Sequence, residues 1–307
     1  MSTNETTATE SSPNLMRYLA DNYEQAQVMR RECEERLRAI LQGKDKTWGE
    51  VESAPEDAAD VLKAIRAGET TGPVPMLARS YRRYYEEERD TYRDMMQLWK
   101  ESPVYEWLSE VRGIGPTLGC KLLARLDPEK AEYASSFWAY CGLATVPGER
   151  YRCGECGLVR GWPVGYEVTG KHTALGGGKC TGKLERIAGP EDGVRVAQPK
   201  PSRGQPSTYD RYAKKVMYLV GTSFLKAGGP YEAFYRRERA KAEVERPGWA
   251  DGRKHYLALR KTEKLFLSHL WQVWREALGL PTPDPWAQAH GGHDHDSKIE
   301  PWEMTGE

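Results

Sequence analysis

The chain has no apolar run approaching the roughly 18–20 residues that a membrane span needs, so no transmembrane segment is expected. It also lacks a net charge. Its 45 basic and 45 acidic side chains cancel, so overall charge points to no partner. Phenylalanine is scarce at four residues, while ten tryptophans and seventeen tyrosines supply core or stacking surface in its place. The polar start MSTNETTATESSP has no apolar signal core, which argues against secretion. The six cysteines do not resemble a disulfide framework. Three cluster between residues 153 and 180, and Cys33, Cys120 and Cys141 sit inside apolar helical patterns. A reducing, cytoplasmic setting fits this usage. The first 110 residues lack the alternating pattern of a strand, and no apolar strand there ends in an aspartate.

What is present is helical periodicity. Leu15, Leu19, Tyr23, Ala26, Met29, Cys33, Leu37 and Ile40 recur at steps of three and four, which predicts one long helix ending near Gly43. A short helix over 57–67 follows an acidic connection, and Gly68 and Gly72-Pro73 close it. Leu77, Tyr81, Tyr84, Tyr85, Tyr92, Met95, Met96 and Trp99 define a second long helix with charged outer faces. The two long helices predict a coiled-coil-like antiparallel hairpin over 14–101 after a disordered segment 1–13.

Ser102-Pro103 predicts a new helix start, with Val104, Trp107, Leu108 and Val111 on its apolar face. The stretch Val111-Arg112-Gly113-Ile114-Gly115-Pro116 then reads as the turn of a helix-hairpin-helix. Gly113 and Gly115 permit positive φ and close approach of a phosphate. Pro116 suits the first position of the next helix, whose free amides and dipole favour an anion. Arg112, Thr117 and Lys121 are the flanking DNA-contact candidates. The alternative is a glycine-rich turn with no ligand. Leu118, Leu122, Leu123 and Leu126 carry the second helix to Asp127-Pro128, and a short helix over 134–141 covers the pair.

Residues 150–186 form an insert of different character. Tyr151-Arg152-Cys153-Gly154-Glu155-Cys156-Gly157 is a knuckle-like pair of cysteines, and Lys179-Cys180-Thr181-Gly182 resembles a second knuckle lacking its first cysteine. With His172 these supply four ligands, Cys153, Cys156, His172 and Cys180, for a structural zinc. The alternative is a β-hairpin excursion with three thiols. A catalytic zinc is not expected, because no general base stands near these ligands in sequence.

A Pro/Gly/basic connector over 185–206 is expected next, with Ser207-Thr208 capping a helix that carries Arg211, Lys214 and Lys215. Two further helices follow, the last ending at Gly279, and basic faces interleave with aromatics throughout 195–264. The tail 281–307, with His290, His293 and His295, is expected to be flexible. The fold class is therefore mainly α, a helical hairpin followed by a helix-hairpin-helix domain over 102–280 with a small inserted β, zinc-ribbon-like arm.

The ordered set Glu110–Thr117, Leu122–Pro128, Phe137-Trp138-Ala139-Tyr140-Cys141-Gly142-Leu143, Asp210–Tyr218 and Pro230–Arg237 resembles the C-terminal domain of the Piv-like, bridge-RNA-type insertion-sequence transposases. The resemblance covers roughly 105–278 and is broken by the cysteine insert. It implies DNA binding in transposition or recombination, with guide RNA as a further partner and homo-oligomers as a working form. The acidic resolvase-like half of that family has no counterpart in residues 1–110, so magnesium is implied only if another acidic site exists. The family's serine nucleophile has Ser202 and Ser207 as its nearest candidates, with Arg203, Arg211 and Lys214 to neutralise phosphate charge. Three readings stay open: a DNA-binding protein without catalysis, an active serine recombinase, and a coiled-coil scaffold with a zinc arm.

Overall fold

In the computed structural model, the described residues are 13–44, 58–69, 74–168, 170–174, 177–199, 207–283 and 299–306. They are mainly helical, with a small antiparallel sheet. The expectation for residues 1–13 lies almost wholly outside them, as do those for Ser202, Arg203, His290, His293 and His295.

The described chain divides into two compact units: residues 1–105 with 115–126, and residues 106–114 with 127–307. In the first, α1 (Pro13–Leu41) and α3 (Pro75–Lys100) run antiparallel, with α2 (Ala58–Ala67) between them in sequence. Their apolar faces share a core of Cys33, Leu37, Ile40, Leu62, Ile65, Leu77, Ala78 and Tyr81. Polar ties run along the same seam: Asn22 donates to Glu87 and Thr91, and Arg30 pairs with Glu88. The expected long-helix pair is thus present.

The helix α5 (Pro116–Leu123) belongs to this first unit, which differs from the expected division at residue 102. Its sequence explains why. The small Gly119 lies where a Cβ would meet the Trp99 indole at 2.6 Å, so the helix seats directly on α3. Cys120 is fully buried with its thiol 3.3 Å from the Met95 carbonyl, and burial pushes that thiol up to about 12.

The second unit holds α4 (Tyr105–Glu110, from Glu106), α6 (Ala134–Tyr140), α7 (Arg211–Ala227), α8 (Pro230–Glu245) and α9 (Asp251–Ala277). An aromatic core joins them. Phe224 stacks on Tyr231 with ring centroids 4.6 Å apart, and Trp107 stacks on Phe266 at 5.9 Å. Offset and edge-on aromatic contacts of this kind add to the burial of their large apolar areas. Ser102-Pro103 falls in a turn, and α4 starts later, at Tyr105.

The sheet is longer than the expected insert. β1 (Thr145–Cys153) is its spine and pairs antiparallel with β2 (Val159–Pro163), β5 (Leu184–Ala188) and β6 (Arg195–Ala197). β3 (His172–Thr173) and β4 (Lys179–Cys180) form a separate two-stranded ribbon. The expected connector over 185–206 is therefore corrected: its first part supplies β5 and β6. Val146 opposite Val196 and Gly148 beneath Val196 show the reason, since a valine side chain fills the space that Gly148 leaves.

Two end signals also differ from expectation. The cap of α7 is Asp210, whose carboxylate accepts from the Ala213 amide at 2.7 Å, and not Ser207 or Thr208. The flexible tail is corrected for residues 299–306, where a single 3-10 turn, Pro301–Met304, buries Pro301 and Met304. Trp107 Nε1 donates to the Pro301 carbonyl at 3.0 Å, which ties this turn to α4.

Candidate metal centre and basic helix face

The glycine-rich turn between β1 and β2 presents two thiols from one side. The Cys153 amide donates to Leu158 O and the Gly157 amide to Cys153 O, and Gly157 takes a positive φ of 68° that favours glycine. The β3–β4 ribbon brings the other two candidates, because its register sets His172 opposite Cys180. The ligand atoms of Cys153, Cys156, His172 and Cys180 all lie within 4.8 Å of one another. Cys153 Sγ is 3.8 Å from Cys180 Sγ, and Cys156 Sγ is 3.2 Å from His172 Nε2. Around a tetrahedral zinc, sulfur–sulfur edges are about 3.8 Å and sulfur–nitrogen edges about 3.6 Å, from the usual bond lengths.

Neighbouring groups orient these ligands. His172 Nδ1 lies 2.9 Å from Gly170 O, so the proton sits on Nδ1 and Nε2 is left to bind. The Gly182 amide donates to Cys180 Sγ at 3.4 Å, the kind of contact that favours a thiolate. A side chain at 182 would strike Cys153 Sγ at 2.6 Å, so the close approach needs a glycine. These four residues can therefore hold a metal ion. The other cysteines stand apart from this chemistry: burial raises the thiols of Cys33, Cys120 and Cys141.

No family model, curated protein or solved structure matches the chain.

The Val111–Pro116 turn takes its expected backbone form in part. Gly113 has a φ of 98°, and Pro116 opens α5 after Gly115 in extended conformation. The reason for Gly113 is packing. A Cβ there would meet Phe224, Ala227 and the Ser223 backbone at 3.2–3.3 Å, and its carbonyl accepts from Ser223 Oγ at 2.6 Å. Gly115 faces open space, and its φ of −98° is one that other residues adopt. The turn's first helix lies in one unit and its second in the other.

The DNA-contact candidates separate into two sets. Lys121 is only 6% exposed and its ammonium lies 3.6 Å from Glu24, so it is committed within the helical bundle and does not present a cation to a phosphate. The Thr117 side chain faces the Tyr23 hydroxyl. Arg112 is exposed, its stem covering Gly229. Arg211 is exposed at the first position of α7. Lys214 Nζ sits 4.3 Å over the Tyr209 ring and Lys215 Nζ 5.5 Å over the Tyr212 ring. The Ser207 hydroxyl donates to Tyr209 O at 2.6 Å and accepts from the Tyr209 amide, which is a turn-forming contact.

Sequence reasoning missed two cations on α9. Arg260 donates to the Leu143 and Ala144 carbonyls, and Lys264 Nζ lies 4.6 Å over the Trp138 ring. It also missed Glu263, a carboxyl packed against Gly221 whose burial pushes it up to about 8. Their helical spacing marks only a partly polar face, and no local motif distinguishes them.

Proposed function

We propose that the protein binds the DNA backbone through the basic, aromatic start of α7, as a transposase-type or recombinase-type DNA-binding protein without catalysis of its own. One observation carries this reading: Lys214 and Lys215 are held over Tyr209 and Tyr212 beside the exposed Arg211. Cations braced on ring faces give up little further side-chain freedom when they meet a phosphate. Phosphate contacts of this kind give affinity without reading sequence. The resemblance of the ordered motifs to those of insertion-sequence transposases supports DNA as the partner and transposition or recombination as its setting. Ser207 satisfies its own turn and is not proposed as a nucleophile.

The zinc reading belongs to the same proposal. Three thiolates and one imidazole nitrogen match a closed structural site, and a metal there would hold the arm's short strands together. Metal analysis of purified protein should find about one zinc per chain. Its persistence in a double Cys153→Ser, Cys180→Ser variant would remove the assignment.

The DNA reading is tested by anisotropy of a labelled duplex with the full-length protein. Charge reversal in an Arg211→Glu, Lys214→Glu variant should weaken binding at least tenfold while leaving the helical circular dichroism unchanged. Equal affinity of this variant and the natural sequence would overturn it.

A further inference from the structure

Two arginines and a lysine of the second unit converge on the backbone where β1 begins. Arg260 Nε and Nη2 both donate to Leu143 O, and Nη2 also reaches Ala144 O at 2.7 Å. Arg195 Nε donates to Thr145 Oγ1 at 3.0 Å and its Nη2 to Thr145 O at 2.6 Å. The carbonyls of residues 143–145 and the Thr145 hydroxyl thus pin both guanidinium groups by the same edge, Nε and Nη2. Among the described residues, neither Nη1 has a hydrogen-bond partner. Lys264, one helical turn beyond Arg260, places its ammonium over Trp138, whose own Nε1 donates to Lys264 O at 3.0 Å.

No carboxylate pairs with these cations among the described residues. The nearest acidic neighbour, Glu263, packs against Gly221 on α7 and lies within electrostatic reach of Arg260, but forms no ion pair with it. Burial first, and then the positive charges of Arg260 and Arg195, lower Lys264 to about 8. Three cations fixed by carbonyls and a ring, with donors left over, are an arrangement that an anion stabilises.

We propose that Arg195, Arg260 and Lys264, with Trp138 as the wall, form a seat for one phosphate group. The phosphate oxygens would accept from Nη1 of each arginine and from the lysine ammonium. Its source is either a nucleic-acid strand or free phosphate. The seat uses residues distinct from Arg211, Lys214 and Lys215, so it stands or falls separately from the α7 reading.

The test is an acylation footprint on the full-length protein, read at Lys264 by mass spectrometry, with the exposed Lys130 as internal control. The arms are inorganic phosphate, a short DNA duplex, and chloride at matched ionic strength. Saturable protection of Lys264, and not of Lys130, by phosphate or by DNA is expected, and whichever protects names the source. A Lys264→Gln variant should bind the protecting anion at least tenfold more weakly. Should that variant fail to fold, the footprint on the natural sequence decides alone. Equal acylation of Lys264 in all three arms would overturn the proposal.

Discussion

Glu263 offers a prediction with a sign and a size. Its carboxyl is 5% exposed on α9, and burial raises it from about 4.5 to about 8. At neutral pH the folded protein therefore holds a proton that the unfolded chain releases. Stability from this group is complete below about pH 4.5 and declines as pH rises toward 8, by about 1.4 kcal/mol per pH unit. At pH 7 the accumulated loss is roughly 3 kcal/mol, an order-of-magnitude figure from the same linkage. Glutamine has the same shape and stays neutral, so Glu263→Gln should remove the slope. Lys264 does not confuse the measurement. Its lowered value of about 8 means that its contribution is present above 10.5 and is lost as pH falls toward 8, outside the window used. Urea unfolding of both proteins at pH 5.5, 6.5 and 7.5 is the assay. Glu263→Gln should be the more stable protein throughout, by a margin that is smallest at pH 5.5 and grows toward pH 7.5. Parallel pH dependence in the two proteins would refute the argument that this carboxyl is buried and protonated.

Three other outcomes are expected from the metal centre, the Gly113 turn and the α7 cap. Stripping metal with a strong chelator should loosen the arm, with faster amide exchange in β1–β5, while far-ultraviolet circular dichroism keeps its helical signal; loss of the whole fold would contradict a local role for the site. Gly113→Ala should cost about 1–3 kcal/mol by denaturant unfolding, because it combines a positive φ with a tight fit against Phe224 and Ala227; a neutral effect would mean that the turn is loose. Asp210→Ala should cost about 1 kcal/mol by removing the α7 cap, whereas Thr208→Ala should cost little; the reverse order would reinstate the Ser207-Thr208 cap.

Much of this architecture is written locally. The steps of three and four in α1 and α3 predict both helices and the face they share, and Gly-Pro pairs mark several ends. The four metal candidates are visible because two lie on one short turn and the chemistry of the others limits the choice. What escapes a sequence reading depends on partners far along the chain. β5 and β6 lie in a stretch rich in glycine and proline, and they become strands because β1 has open edges for them. Asp210 takes the cap in place of Ser207 because Tyr140 O holds the Asp210 amide at 2.9 Å and Tyr140 OH lies 3.2 Å from its carboxylate. Residues 299–306 look like tail, yet Trp107 and His269, 194 and 30 residues away, supply donors to their carbonyls. Lys121 reads as a surface cation beside a turn, and burial against Glu24 reverses that reading. Gly113 is legible as a positive-φ residue, but its fit against Phe224 is not.

Proposed DNA binding at the start of α7 runs through the phosphates. The most direct measurement is the dissociation constant of a labelled duplex at stepped salt concentrations, for the natural sequence and for Arg211→Glu, Lys214→Glu. Binding should weaken linearly on a log–log plot for the natural sequence, and the variant's slope should be shallower by about two, roughly one for each phosphate that it no longer neutralises. Affinity indifferent to salt, or identical slopes in the two proteins, would contradict it.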